Sequence, residues 1–210
     1  ISVDHNHVNN VFEFNGIIFF TMHNGSIGKK KKGGSLIGIT NLKKAFFYTY
    51  KRRGIHDIFF DGKDLIFCDS FGYFENLKSK KNISGVPIKN GKPIKKRFFS
   101  SLKNNYCIRG FGVSKDEMLV GCSSISARRS ERLVLPGGLA LIKNEKTYFQ
   151  KCDFSQIFEI VKLNAEKGLT KEIKQSSMTE LDKILKKFLG RKNLEVNFEN
   201  NISTTPLIKR

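Results

Sequence analysis

The sequence has no tryptophan, no long apolar run and no closely paired cysteines. Apolar stretches such as residues 17–20 are far shorter than the roughly 20 residues that a membrane-spanning helix needs, so no membrane span is expected. The four cysteines are too far apart for a zinc site of the CxxC type or for a dense disulfide framework. These absences favour a reducing compartment, and we expect a cytoplasmic location.

Acidic residues are also scarce, with 19 Asp and Glu against 38 Lys and Arg and a net charge of +19 at pH 7. Such a charge would suit a nucleic-acid partner, because cations that neutralise phosphates release counterions. However, lysine outnumbers arginine by 29 to 9, whereas base readout and bidentate phosphate contacts favour arginine. The lysine clusters also fall among Gly, Ser and Asn, which is typical of solvated loops. The composition therefore does not lead us to expect a nucleic-acid partner.

Short β-type runs separated by turn residues are what the sequence has in abundance. Hydrophobic residues make up 39% of the chain and 19 residues are Phe, so there is enough apolar material for a core. Asn15 and Gly16, between the first two runs, form a strong hairpin signal. The pattern predicts an all-β fold. The predicted strands are residues 8–14, 17–22, 35–41, 45–50, 56–60, 65–68, 72–77, 93–99, 108–113, 118–122, 139–142, 147–149 and 156–161.

A whole hairpin recurs along the chain, together with the polar residue that precedes it. Aligning the predicted second strands places Asn9, His56 and Arg109 at one equivalent position, 47 and 53 residues apart. A repeat of about 50 residues with four antiparallel strands is typical of a β-propeller blade. A β-sandwich or barrel also has strands at this spacing, but it does not require a whole hairpin to recur. We therefore favour a β-propeller with about three four-stranded blades.

Three blades would form an incomplete ring, since closed propellers usually have about 4 to 8 blades. The sequence begins at Ile1 and not at Met. Both observations lead us to expect that the native N-terminus and the N-terminal blades needed to close the ring are missing. Secretion is therefore an alternative to the expected cytoplasmic location.

The pattern changes to charged residues and helix formers after residue 161. Ser177 and Glu180 have the spacing of a capping box, and apolar residues then recur at intervals of three and four as far as Gly190. This predicts one C-terminal amphipathic helix, which either packs on the blades or binds a partner. The expected organisation is residues 1–163 for the blades, 164–192 for a helical extension and 193–210 for a polar tail of low order.

Polar residues are predicted to meet at one mouth of the propeller channel. The first strand of a blade lines the channel, and antiparallel pairing brings its start beside the end of the second strand. All four histidines fall at such positions, and histidine titrates near neutral pH and binds metals. The predicted catalytic residues are His7 and His56. The predicted ligand-binding residues are Asn9, His23, Asn24, Asp57, Asp69, Arg109, Arg128, Arg129 and Arg132.

Two kinds of chemistry fit these residue types. In one, His7, Asn9, His56 and Asp57 hold a divalent cation such as Ca²⁺ or Zn²⁺, which polarises a substrate or activates water. In the other, no cofactor is needed, because a histidine acts as base or nucleophile while Arg109 and the arginine-rich loop clamp an anion. Both predict a small anionic or sugar-like ligand, with group transfer or hydrolysis as the reaction. The alternative is a non-enzymatic propeller that binds protein or glycan.

Short motifs resemble those of known bacterial propellers. Asp4-x-x-His7-x-Asn9 before a strand, with His56-Asp57 one blade later, is similar to the pattern of bacterial arylsulfotransferase-type propellers, whose channel histidines and Asn handle a sulfuryl group. It is also similar to the leader segments of gluconolactonase-like metal-binding propellers. The resemblance implies a channel site built on these residues.

Two further segments, Gly110-Phe-Gly-Val and Ile157-Phe-Glu-Ile, more closely resemble bacterial six-bladed propellers of unassigned function, some of them associated with glycan metabolism. The whole resemblance covers about residues 4–161. It implies that the chain corresponds to the C-terminal half of such a ring.

Overall fold

A computed structural model describes residues 8–22, 35–50, 54–70, 85–102, 106–114, 116–124, 130–157, 160, 177–190 and 192–197. In this part of the chain, consecutive strands pair as antiparallel meanders in three separate sheets, and helices are few and short. The predicted all-β class is therefore confirmed.

The three sheets follow one another along the sequence. The first sheet contains β1 (Val8–Phe14), β2 (Ile17–Met22), β3 (Ser35–Thr40) and β4 (Lys44–Tyr50). The second contains β5 (Ile55–Phe60), β6 (Leu65–Asp69), β7 (Val86–Lys89) and β8 (Lys92–Pro93). The third contains β9 (Tyr106–Val113), β10 (Glu117–Ser124), β11 (Gly137–Lys143) and β12 (Lys146–Cys152). The remaining elements are α1 (Lys96–Ser101), the 3₁₀ helix η1 (Glu131–Leu133), α2 (Met178–Leu189) and β13 (Lys192–Asn197).

The β1–β2 hairpin forms where the sequence predicts it. Asn15 and Gly16 have φ values of 52° and 76°, the left-handed conformations that a two-residue type I′ turn requires. Glu13 accepts a hydrogen bond from the Gly16 N–H at 2.5 Å, which ties the turn to the end of β1.

A β-bulge interrupts the first strand of every sheet within the same two-residue stretch of the repeat. The register between first and second strands slips at Asn9 in β1, at Asp57 in β5 and at Arg109 and Gly110 in β9. A bulge places an extra residue opposite one partner and redirects its side chain. The slip in β5 is one residue later than the slip in β1, so the repeat is present in the strand registers to within one residue.

The sheets contact each other mainly through their first two strands. β1 and β2 contact β5, and β5 and β6 contact β9, so the second sheet lies between the other two. All five residues of β6 are buried, whereas β2 alternates between buried and half-buried residues. The rings of Phe19 and Phe60 stack with centroids 5.2 Å apart and join the first sheet to the second. The core therefore lies on both faces of the second sheet.

The second sheet differs from the prediction in its outer half. A strand was expected at residues 93–99, but β8 ends at Pro93 and the chain continues as α1, which buries Phe99. Lys95 has a left-handed φ of 48°, which interrupts the extended backbone directly before α1. The third strand is Val86–Lys89, which the sequence analysis missed, and the strand predicted at 72–77 lies outside the described residues.

Two predictions near the C-terminus differ from the structure in the residues that it describes. A strand was expected over residues 156–161, but residues 156, 157 and 160 are not in a strand. A polar tail of low order was expected from residue 193, but Lys192–Asn197 forms β13, which pairs antiparallel with β4. The outer edge of β4 presents backbone N–H and C=O groups, and β13 supplies their partners.

Helix α2 is confirmed together with its predicted capping box. The Ser177 side chain accepts a hydrogen bond from the Glu180 N–H, and the Glu180 carboxylate accepts one from the Ser177 N–H. Leu181 and Leu185 have no exposed surface, and the helix packs against β4. The Tyr48 hydroxyl also donates to Asp182 Oδ1 at 2.5 Å. The apolar face of the helix is thus part of the core.

The Tyr48–Asp182 contact should make stability fall steeply at alkaline pH. Burial, and then the hydrogen bond to Asp182, raises the pKa of Tyr48 far above its usual value. An unfolded chain loses this proton above about pH 10 while the folded chain keeps it, so the Tyr48 contribution is complete below that pH. The free energy of unfolding should then fall by about 1.4 kcal/mol per pH unit as pH rises further.

Urea unfolding between pH 8 and 11 measures this effect, with Tyr48→Phe as the comparison. The variant should be less stable than the natural sequence at pH 8 and should lose stability less steeply above pH 10. Equal slopes for the two proteins would show that Tyr48 does not keep its proton through the contact with Asp182.

Candidate functional site

Five of the predicted site residues can be located: Asn9, His56, Asp57, Asp69 and Arg109. Others lie outside the described residues, namely His7, His23, Asn24, Arg128 and Arg129. Arg132 is in η1, and only its backbone is described. The predicted roles of these six residues stay predictions.

Asn9 and His56 lie next to each other across the boundary between the first and second sheets. The Asn9 side-chain amide donates to the Ile55 carbonyl at 2.6 Å. His56 Nδ1 is 3.1 Å from the Gly54 carbonyl and 2.5 Å from Ser70 Oγ. Because a carbonyl can only accept, the network assigns the Nδ1 hydrogen to His56, which makes Nε2 the basic atom of the neutral ring.

Ser70 connects this pair to Arg109 in the third sheet. Its hydroxyl donates to the Ile108 carbonyl at 2.7 Å, one residue before Arg109. The Arg109 guanidinium is half-buried, with Nε 3.3 Å from Cys107 Sγ and Nη1 3.3 Å from the Gln156 side-chain carbonyl. The structure therefore places Asn9, His56 and Arg109 in one row along neighbouring first strands, which we call the polar row.

Asp57 joins two sheets through its carboxylate. It occupies the β5 bulge with a φ of 51° and is only 9% exposed. Oδ1 accepts from the Ile58 N–H and Oδ2 from the Phe111 N–H, both at 2.9 Å. This carboxylate thus makes a structural contact between β5 and β9, in addition to any role in ligand binding.

Asp69 ends β6 and is fully buried. It accepts a hydrogen bond from the Tyr50 hydroxyl at 3.5 Å, and this contact joins the second sheet to the first. Asp69 therefore lies between two sheets, and its predicted contact with a ligand stays a prediction.

A metal site is not assembled by the described residues. In the ranges for which positions are known, no three His, Cys, Asp or Glu side chains are grouped so that they could hold a metal ion. The predicted cation ligands His7, Asn9, His56 and Asp57 include one residue outside those ranges. The cation site therefore stays a prediction.

The four cysteines are not disulfide-bonded. Burial raises the pKa of the Cys68 thiol well above its usual value and that of Cys122 to about 12. Since the thiolate is the nucleophile, these two thiols are unreactive at neutral pH.

An apolar pocket lies beside the polar row, against the first strands of the three sheets. It has a volume of about 220 Å³ and is lined by residues of β1, β5 and β9 and by Ile160. Val11, Ile58 and Phe111 hold equivalent positions in these strands and all line it. The sequence analysis did not predict this surface, although the repeat alignment places an apolar residue at that position in each hairpin.

Two serines make contacts that the sequence analysis did not assign. Ser70 follows β6 and Ser123 lies near the end of β10, so they hold equivalent positions in the repeat. Each hydroxyl donates to a backbone carbonyl of the segment that follows its own sheet. Their shared position after the second strand is the signal that could have identified them.

No helix in the part of the chain described by the structure is long and apolar enough to cross a membrane. Comparisons with protein-family models, with curated proteins and with solved structures find no match for this chain.

Proposed function

We propose that the three sheets are consecutive blades of a β-propeller and that the polar row lies at the mouth of its channel, where it binds a small anionic or sugar-like ligand. Four consecutive strands of each sheet form an antiparallel meander, which is the order found in a propeller blade, and β13 adds a fifth strand to the first sheet. The main contacts between sheets involve first and second strands, as expected for blades arranged around an axis. The resemblance to bacterial six-bladed propellers agrees with this proposal.

The observation that carries the ligand proposal is the polar row itself. Hydrogen bonds connect Asn9 to the strand of His56, and His56 through Ser70 to the strand of Arg109. A guanidinium group and an imidazole on neighbouring strands suit the oxygens of a carboxylate, sulfate or phosphate group, or the hydroxyls of a sugar. The net charge of +19 would also concentrate anions near the protein.

A reaction at this site would use His56 as the base. Gly54 and Ser70 orient its ring through Nδ1, so Nε2 is the atom that would take a proton from a substrate or from water. Group transfer or hydrolysis is the reaction class we propose, with His7 as the second predicted catalytic residue.

The second candidate function is a non-enzymatic interaction propeller. Asn9 and Asp57 both bond to the backbone of the following sheet, which is what residues that only hold blades together would do. On this proposal the blades present surfaces for protein or glycan, and the polar row is structural. A cytoplasmic location is part of both proposals.

Calorimetric titration with inorganic phosphate and with sulfate distinguishes the two candidates. Arg109→Ala should weaken anion binding about tenfold or more, because charge-assisted hydrogen bonds contribute about 1.5–3 kcal/mol. Arg97→Ala is the matched control, since Arg97 is exposed on α1 and its loss changes the net charge by the same amount. Equal affinities of the two variants would contradict a site at Arg109 and favour the interaction propeller.

A further inference from the structure

The side chain of Gln156 makes hydrogen bonds in two directions. Its nitrogen donates to the Ser124 carbonyl and to the Ser155 carbonyl, each at 3.1 Å. Its oxygen accepts from Arg109 Nη1 at 3.3 Å. A carbonyl can only accept and a guanidinium can only donate, so the two ends of the amide are not interchangeable. Gln156 therefore presents an acceptor to Arg109.

The backbone on both sides of Gln156 is bound to the third sheet. Before it, the Ser155 carbonyl accepts from the Ser124 N–H at 2.9 Å. After it, the buried Ile157 donates its N–H to Ser123 Oγ at 2.8 Å and accepts from that hydroxyl at 3.0 Å. These contacts fix the position of Gln156 relative to the third sheet, which also contains Arg109.

Two neutral contacts hold the Arg109 guanidinium at different nitrogens. Nη1 donates to Gln156, and Nε donates to Cys107 Sγ at 3.3 Å. Contacts at two nitrogens restrict the plane of the group as well as its position. A donor that is ordered before the ligand arrives binds more tightly, because the cost of ordering it is not incurred on binding. The two contacts thus prepare Arg109 for an anion.

The amide of Gln156 acts differently on Arg109 from a carboxylate at the same place. Both groups present an oxygen to the guanidinium. A carboxylate, however, forms a charge-assisted pair with the guanidinium and competes with an anionic ligand for it. An amide oxygen orients the guanidinium without neutralising its charge.

We propose that Gln156 is a positioning residue of the anion site, which holds the Arg109 guanidinium in the polar row through a neutral acceptor. This inference rests on the proposed function, in which Arg109 binds the ligand. Gln156 follows β12 and is not in a strand, so the site includes a segment outside the three sheets. Gln156 precedes Ile157 as Cys107 precedes Ile108, and serines at equivalent positions bind the two isoleucines. Both contacts to Arg109 therefore come from equivalent positions in the repeat.

Calorimetric titration with sulfate tests this role in two variants of the full chain. Gln156→Met keeps the net charge and the approximate length of the side chain but has no amide, so sulfate affinity should fall about threefold or more. Gln156→Glu should lower the affinity about tenfold or more near neutral pH, because its carboxylate pairs with Arg109. Gln150→Met and Gln150→Glu are the matched controls, since Gln150 is exposed on β12 and its replacement changes the charge in the same way.

Nitrogen-15 NMR of the Arg109 guanidinium tests the same role without a ligand. The Arg109 signal is identified by its loss in Arg109→Lys. The contact with Gln156 should slow the exchange of the guanidinium hydrogens with water. The exchange rate should therefore rise about threefold or more in Gln156→Met and stay unchanged in Gln150→Met. A Gln156 that only fixed the backbone at Ser124 would leave this rate unchanged.

Circular dichroism of each variant reports whether it folds, and a folded Gln156→Glu protein is sufficient to decide. Sulfate affinities of the Gln156 variants equal to those of the Gln150 variants would overturn the proposal. If Arg109→Ala nevertheless loses sulfate binding, the anion site stands and only the role of Gln156 is wrong. A natural sequence that binds no sulfate would contradict the proposed function, and this role with it.

Discussion

Replacing Asp57 with alanine should destabilise the fold by about 3 kcal/mol or more. Its two carboxylate oxygens accept hydrogen bonds from the N–H groups of Ile58 and Phe111. Bonds to a charged acceptor contribute about 1.5–3 kcal/mol each, and the variant would leave the N–H of Phe111, a residue only 5% exposed, without this acceptor. Position 57 also has a φ of 51°, which Asp and Asn adopt more readily than alanine.

Urea unfolding of Asp57→Ala and Asp57→Asn measures this effect. Asparagine keeps one acceptor oxygen and tolerates the left-handed conformation, so it should lose about half as much stability as alanine. Asp116→Ala is the control, because Asp116 is exposed before β10. A loss below about 1 kcal/mol for Asp57→Ala in metal-free buffer would contradict the structural role and favour the predicted metal-ligand role instead.

Replacing Gly85 with alanine should have a comparable or larger effect. A β-carbon there would lie 2.5 Å from the Ser70 carbonyl oxygen, 2.8 Å from that of Asp69 and 2.8 Å from the Ile108 side chain. Two of these atoms belong to the backbone, and pairing with β7 and packing against β9 hold that backbone in place. Such overpacking costs about 3 kcal/mol or more where the neighbours cannot move.

Thermal unfolding tests this prediction. A loss of 3 kcal/mol corresponds to a fall in Tm of about 6–12 °C for a chain of this size. Gly112→Ala is the matched control, since its nearest neighbour would be the side chain of Ile160 at 3.0 Å and no backbone atom would lie closer than 3.6 Å. A Tm for Gly85→Ala as high as that for Gly112→Ala would show that the β6–β7 pairing is looser than the structure indicates.

Local signals made much of the fold predictable. The Asn15-Gly16 turn and the Ser177–Glu180 capping box each depend on residues within four positions of one another, and both form as predicted. The repeat alignment also agrees with the strand registers to within one residue, because the bulge lies at Asn9 in β1, one position later at Asp57 in β5, and at Arg109 and Gly110 in β9.

Elements that depend on distant partners were the ones that sequence analysis missed. β13 forms because the edge of β4, which lies about 150 residues earlier in the chain, supplies its hydrogen-bond partners. Phe99 is buried on a short helix and not on the predicted strand, because the chain leaves the extended conformation at Lys95 and α1 places Phe99 in the core. No signal near these residues specifies either outcome.

The sequence by itself determined that this is an all-β chain of repeated hairpins, with one polar residue ahead of each and an amphipathic helix after them. Turn chemistry, alternation of apolar residues and capping are properties of neighbouring residues, so they can be read locally. Only the tertiary structure decided how the polar residues are used. Asp57 bonds to the backbone of Phe111, which is 54 residues away, and Ser123 binds Ile157 as if another sheet followed. Such contacts form only when separate sheets pack together, and packing between sheets is not encoded in the spacing of any one hairpin.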